Sequence, residues 1–199
     1  MSQIKLKHSG GNSVIIAAPD SNPASDRTLK LPSDGDGTIL TTNSATGKIL
    51  QVVQTVKTDT ASESVSSGSF TSTVYLPTNI TPNATNSKIL ITVSICLQDY
   101  GQPYMALQRD GSPICVGDAD GSRMRVTSGT YMFDSISLAT VNAHFVDSPN
   151  TTSQVTYGVK LAVRDNNTST IYINRTEANN NYSYAMRGAS TLILQEVAA

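Results

Sequence analysis

The run Lys88–Leu97, KILITVSICL, constrains this chain more than any other stretch. Ile89, Ile91, Val93, Ile95 and Leu97 fall on one side of an extended backbone, and Leu90, Thr92, Ser94 and Cys96 on the other. A two-residue period with aliphatics on both sides predicts a central strand. The same period returns in Val155–Val163, where Val155, Tyr157, Val159, Leu161 and Val163 alternate with Thr156, Gly158, Lys160 and Ala162. Phe70–Leu76, Ser169–Asn174 and Ser190–Val197 read as strands too, and Thr130–His144 offers Tyr131/Phe133 and then Ile136/Leu138/Val141 as strand material, bent near Asp134–Ser135. Between Tyr104–Gln108 and Ile114–Val116 stands Asp110-Gly111, a hairpin signal because a two-residue turn of this kind needs φ > 0 at both positions. No stretch shows the 3.6-residue period of a helix. About eight or nine strands at roughly ten-residue spacing predict an all-β chain whose residues 70–199 form a jelly-roll-like antiparallel sandwich.

The segment before that sandwich has a strand pattern with little to bury. Ile4/Leu6, Val14/Ile15/Ile16, Leu29/Leu31 and Ile39/Leu40 are short aliphatic pieces separated by turn formers such as Ser9-Gly10-Gly11-Asn12 and Pro32-Ser33-Asp34-Gly35. Every Phe and Tyr in the chain lies at or beyond Phe70. Strands of three or four residues gain about 25 cal/mol per Å² buried against an ordering cost of roughly 1–2 kcal/mol per residue, so alone they lose. Such a segment is either solvated or completed by other chains. The regular recurrence of paired aliphatics favours completion, with Ile4, Leu6, Val14, Ile16, Leu29 and Leu31 expected at contacts between chains. Residues 51–69, polar and rich in Ser and Thr, read as a connecting segment, although Ile49–Val56 also suits a first strand of the following domain.

The core GNSVIIAAPDSNPASDRTLKLPSDGDGTIL within Ile4–Leu40 resembles the N-terminal segment of fibre-type structural proteins of tailed bacteriophages, particularly those of marine and cyanobacterial hosts. The pieces ICVGDADGSRMRV, HFVDSPNTTSQVTYGVKL, STIYINR and RGASTLILQEV resemble a C-terminal domain of tail-fibre and related structural proteins of marine phages. The resemblance implies a trimeric virion appendage. Residues 1–50 would be its oligomerisation or virion-docking segment, and 70–199 its head. The setting would be the particle surface, after synthesis in the host cytoplasm. Jelly-roll heads of this size trimerise through one face in tumour-necrosis-factor-like and complement-C1q-like proteins, an analogy of fold alone. Capsid decoration or a head spike would use the same architecture at another place on the particle.

Other classes find less support. Charged residues make up 15% of the chain and the net charge is −1, so no basic stripe exists to carry nucleic-acid binding. No apolar run approaches the ~18 residues of a membrane span, and neither membrane insertion nor a secretion signal is expected. Two cysteines, Cys96 and Cys115, sit in apolar runs and read as buried or half-buried thiols, and their spacing is also compatible with a disulfide between adjacent strands. With two cysteines and two histidines scattered along the chain, no zinc site is expected. Asp118-Ala119-Asp120-Gly121 opens like a calcium loop but lacks the later ligands. The acidic residues concentrate in turns, and no Gly-x-Ser-x-Gly elbow occurs, so neither catalysis nor a cofactor is expected.

Two loops carry sugar-binding chemistry. Arg175–Arg187, RTEANNNYSYAMR, supplies Asn180, Tyr182 and Tyr184, and Gln98–Pro103 supplies Tyr100. Amide groups beside aromatic rings can hold a glycan through hydrogen bonds and stacking. The plainer alternative is long loops whose tyrosines cap the sandwich. The expected partners are therefore two further copies of the chain, other virion proteins, and a host-surface glycan at these loops.

Overall fold

Every regular element among the described residues is a β-strand, and none of those residues belongs to a helix long and apolar enough to cross a membrane. The computed structural model describes residues 3–7, 9–11, 13–17, 48–164 and 168–198. The chain divides into two compact units, Met1–Ser44 and Ala45–Ala199.

In the first unit, β1 (Gln3–Lys7) and β2 (Ser13–Ala17) form an antiparallel hairpin. Gly11, at φ 99°, takes a turn conformation that few residues other than glycine adopt. The register sets Ile4 opposite Ile16 and Leu6 opposite Val14. The side chains of Leu6 and Ile16 are exposed within the chain. Leu29 and Leu31 lie outside the described residues.

The second unit begins with β3 (Ile49–Lys57) and β4 (Ala61–Val65), both drawn largely from the stretch read as a connection. β3 agrees with the alternative of a first strand at Ile49–Val56, whereas β4 contradicts a connection: the polar sequence ASESV lies at a sheet margin, where its partner strand supplies the apolar side chains, with Ile171 facing Glu63 and Ile173 facing Ala61. The remaining strands are β5 (Tyr75–Ile80), β6 (Lys88–Gln98), β7 (Pro103–Arg109), β8 (Ser112–Pro113), β9 (Ser128–Gly129), β10 (Ala139–Asp147), β11 (Val155–Val163), β12 (Ser169–Ile173) and β13 (Ser190–Val197). Asp110 and Gly111 join β7 to β8 at φ 48° and 80°, as the Asp-Gly signal requires.

Two antiparallel sheets result. One runs β3-β13-β6-β12-β4, with β10 on the opposite edge of β6; the other runs β5-β11-β7-β8, with β9 also on β7. The face of β6 expected to be apolar is the buried one. Ile89, Ile91, Val93, Ile95 and Leu97 join Leu192, Leu194, Ile171 and Ile173 from the first sheet, and Tyr157, Val159, Leu161, Met105 and Leu107 from the second, in one core. Each fully buried aliphatic there contributes about 1.5–3 kcal/mol relative to exposure.

The sandwich has two distinct ends. Lys88, where β6 begins, pairs with Val197, and Val197 pairs with Ile49, where β3 begins. At the other end β6 finishes beside Tyr172 and Ala139, at the starts or margins of the connections that run from sheet to sheet.

Candidate functional site: the loop end of the sandwich

Three connections gather where β6 ends, 99–102 between β6 and β7, 130–138 between β9 and β10, and 174–189 between β12 and β13, and they are joined there by Arg164 after β11 and Thr168 before β12. Main-chain hydrogen bonds tie them together. Met132 N–H donates to Gly101 O at 2.8 Å, Thr130 N–H to Pro103 O at 3.1 Å, and Arg164 N–H to Gln102 O at 3.1 Å. Ala178 N–H donates to Ser135 O at 3.1 Å, fastening the long excursion to the neighbouring loop.

The segment Tyr131-Met132-Phe133 shows how the aromatic rings come to face outward. Met132 is buried and pinned by its backbone bond, and in an extended segment its two neighbours point the other way. Tyr131 and Phe133 therefore project together, edge to face, with ring centroids 4.5 Å apart. These residues were expected in a strand, but β10 starts only at Ala139. Asp134 breaks the strand: its carboxylate accepts from the N–H groups of Ile136 and Ser137 and from the Ser137 hydroxyl, an Asx-type turn that removes them from any ladder. The Asp-Ser-x-Ser sequence was the available signal.

Tyr100, Tyr131 and Phe133 border a cleft of about 310 Å³, with Asp99, Gln102, Arg164, Thr168 and Ser169 among its walls. Asp99 is almost fully buried and accepts a hydrogen bond from the Ser169 hydroxyl. Burial pushes its carboxyl above the ordinary value, and the Ser169 bond offsets part of that rise. Tyr104 donates its hydroxyl to Gln102 Oε1 at 3.1 Å, which fixes the Gln102 amide in the wall.

The excursion carries a second aromatic pair. Tyr182 and Tyr184 stack at 5.2 Å between centroids and 18° between planes. An isolated bridge between Arg175 and Arg187 closes its base, Arg187 Nη2 donates to Asn179 Oδ1 at 2.7 Å, and the Arg175 guanidinium lies 4.3 Å from the centre of the Tyr172 ring. Asn180 is exposed on the same excursion.

The expected glycan contacts thus divide between two features of one end, Tyr100 in the cleft and Asn180, Tyr182 and Tyr184 on the excursion. Among the described residues, every exposed aromatic side chain, namely Tyr100, Tyr131, Phe133, Tyr182 and Tyr184, belongs to these loops. Sequence reading missed Tyr131, Phe133 and Asp99 as members of the site. Elsewhere, Cys96 is half-buried, but Cys115 is exposed, on the irregular backbone after β8 at φ 53°; both are free thiols. Among the described residues no group of three or more His, Cys, Asp or Glu is placed to hold a metal ion. No protein-family model matches this chain, and no curated protein does either.

Proposed function

We propose that this chain is a homotrimeric structural protein of a tailed-phage particle, a tail fibre or tail appendage whose sandwich is the host-contacting head. One observation carries the reading. The polypeptide comes into the sandwich at Ile49, beside Val197, while the exposed aromatic rings stand at the opposite end. A head attached by one end and adhesive at the other has this polarity. The likeness of the Ile4–Leu40 segment to phage fibre proteins supports the virion setting.

The strand order supports a jelly roll. Counted as eight successive segments, with β3/β4, β8/β9 and β12/β13 each taken as one, the first sheet reads 1-8-3-6 and the second 2-7-4-5. The outer face of the first sheet supports self-association. Three rows cross it: Val52–Gln195–Leu90–Val146, Gln54–Ile193–Thr92–His144 and Val56–Thr191–Ser94–Asn142. None of these twelve positions holds Asp, Glu, Lys or Arg, and Val52, Val56 and Val146 are each more than half exposed. A neutral face mixing aliphatics with hydroxyls and amides complements a copy of itself. Four strands about 4.8 Å apart and five residues at about 3.4 Å each give a footprint of roughly 330 Å². A standard interface takes ~800 Å² of accessible surface from each partner, so this face is the centre of one and not the whole.

Antibody labelling of intact phage particles under the electron microscope tests the setting. Label on tail appendages is expected. Label on the capsid surface would replace the fibre reading with decoration or a head spike, and unlabelled particles would overturn a virion role.

A further inference from the structure

We infer that the cleft between Asp99, Tyr100 and Phe133 is a binding site for one neutral pyranose ring, held by hydroxyl donation to Asp99 and by stacking on the aromatic rim. The inference rests on reading the loop end as the contact surface, but not on where the protein sits in a particle.

Three features of the cleft define its ligand. First, Asp99 is only 2% exposed although it lines the cleft. Ser169 donates to Oδ1, one of the roughly four acceptor sites that a carboxylate offers, and Oδ2 lies beside Gly101. Gly101 keeps that oxygen uncovered, since a Cβ there would lie 3.4 Å from Oδ2, and its φ of 150° disfavours any other residue. A buried carboxylate with unused acceptor capacity is costly until donors arrive, and its raised pKa reflects that cost. Vicinal sugar hydroxyls are such donors.

Second, the rim is aromatic and wet. Phe133 is 75% exposed and Tyr100 69%, and Tyr131 braces Phe133 edge to face. Rings held rigidly in water favour a ligand with an apolar C–H face, which a pyranose presents on one side while its hydroxyls point elsewhere. Third, Arg164 and the Gln102 amide add donors for ring and hydroxyl oxygens. At about 310 Å³ the cleft stands at the small end of ligand pockets, which span roughly 300–1,000 Å³, and suits one ring with its neighbours outside.

Charge selects against the alternatives. Phosphates and carboxylates meet Asp99 at the floor. An aromatic rim with a carboxylate also suits a quaternary ammonium group, but the Arg164 guanidinium in the same wall opposes a cation.

The test is ligand-observed NMR on the full chain with methyl glycosides of glucose, galactose and mannose, and with tetramethylammonium as the competing probe. Saturation transfer to ring C–H protons of at least one glycoside is expected, with binding weakened at least tenfold by Asp99→Asn and by Phe133→Ala and unchanged by Tyr182→Ala. Phe133 is exposed, so its variant keeps the fold, and an unchanged thermal midpoint verifies this. Loss of binding in Tyr182→Ala but not in Phe133→Ala would overturn the cleft while leaving the loop end adhesive. Binding of tetramethylammonium alone, or of none of these probes, would overturn the inference without touching the virion setting.

Discussion

Asn174 donates its side-chain amide to the carbonyl oxygen of Lys57 at 2.8 Å, across the point where β3 has stopped and β4 has not begun. The same amide reaches Asp59 O at 3.0 Å, and its Oδ1 accepts from the Ser190 hydroxyl at 2.5 Å. Its backbone N–H donates to Cys96 O and its carbonyl accepts from Gly188 N–H. One fully buried residue at φ 58°, next to the end of β12, thus joins β3, the link that follows it, β6 and β13. Asparagine is among the few side chains that tolerate that φ while offering both a donor pair and an acceptor.

Replacing Asn174 by Ala takes the amide donors from the Lys57 and Asp59 carbonyls and the acceptor from the Ser190 hydroxyl, which keeps only its bond from Cys96 N–H. At about 1–3 kcal/mol for each buried group left unpaired, a loss of roughly 3 kcal/mol or more is expected in urea unfolding. Asn174→Gly relieves the backbone but not the hydrogen bonds, so it should recover only a minor part. A variant as stable as the parent would show that the gap between β3 and β4 needs no bridge.

Acid should weaken the fold through Glu196. Burial alone raises this carboxyl, but donors outweigh it: Gln51 Nε2 at 2.6 Å, with Asn83 N–H and Nδ2 at 2.7 Å each, and the group lies below its ordinary value of 4.5. A carboxyl lower in the folded chain than in the unfolded one contributes stability that is fully present above the unfolded value and is lost as pH falls through the folded one. Glu63, where burial is outweighed by bonds from Ser72 and Tyr75 among others, acts in the same direction. Asp99, raised by burial, acts oppositely, its penalty vanishing on protonation. Unfolding free energy should fall from pH 7 to pH 3. Glu196→Gln should start lower at pH 7 yet lose less, and an equally steep loss in that variant would remove Glu196 from the account.

The uncharged outer face can be tested with charge. Val52→Lys and Val56→Lys together place two ammonium groups among the three rows while leaving the core intact. Light scattering should then move from the proposed trimer, three times the 21.1 kDa chain mass, towards the monomer, with unchanged circular dichroism. An undisturbed trimer would relocate the interface.

Gly158 marks a close approach of the second sheet to the segment that leads into β5. A Cβ there would sit 2.5 Å from Val74 Cγ1 and 3.0 Å from the Tyr75 carbonyl oxygen, beside the register shift between β5 and β11. Gly158→Ala forces the two strands apart and should cost roughly 1–3 kcal/mol. A stability within experimental error of the parent would mean that Val74 rotates away freely.

The sequence made some of this architecture plain and concealed the rest for identifiable reasons. The faces of β6 and the Asp110-Gly111 turn are local patterns, decided by side chains two residues apart or by two residues' φ angles. Tyr131 and Phe133 deceived because their spacing copies a strand, whereas a buried Met132 and the Asp134 turn decide their fate. The strand Ala61–Val65 was hidden by its polarity, since its apolar complement is more than a hundred residues away on β12. Asp99 was hidden for a similar reason. Its burial depends on loops from three distant parts of the chain, and nothing in DYGQ announces them.

The main-chain bonds that gather the 99–102 and 130–138 loops and Arg164 have a consequence for change over time. Because amides and carbonyls do the fastening, the residues at positions 100, 131 and 133 are released from any structural duty. Their identities can be exchanged without loosening the scaffold, so a new preference at this tip requires only a few substitutions and no new fold.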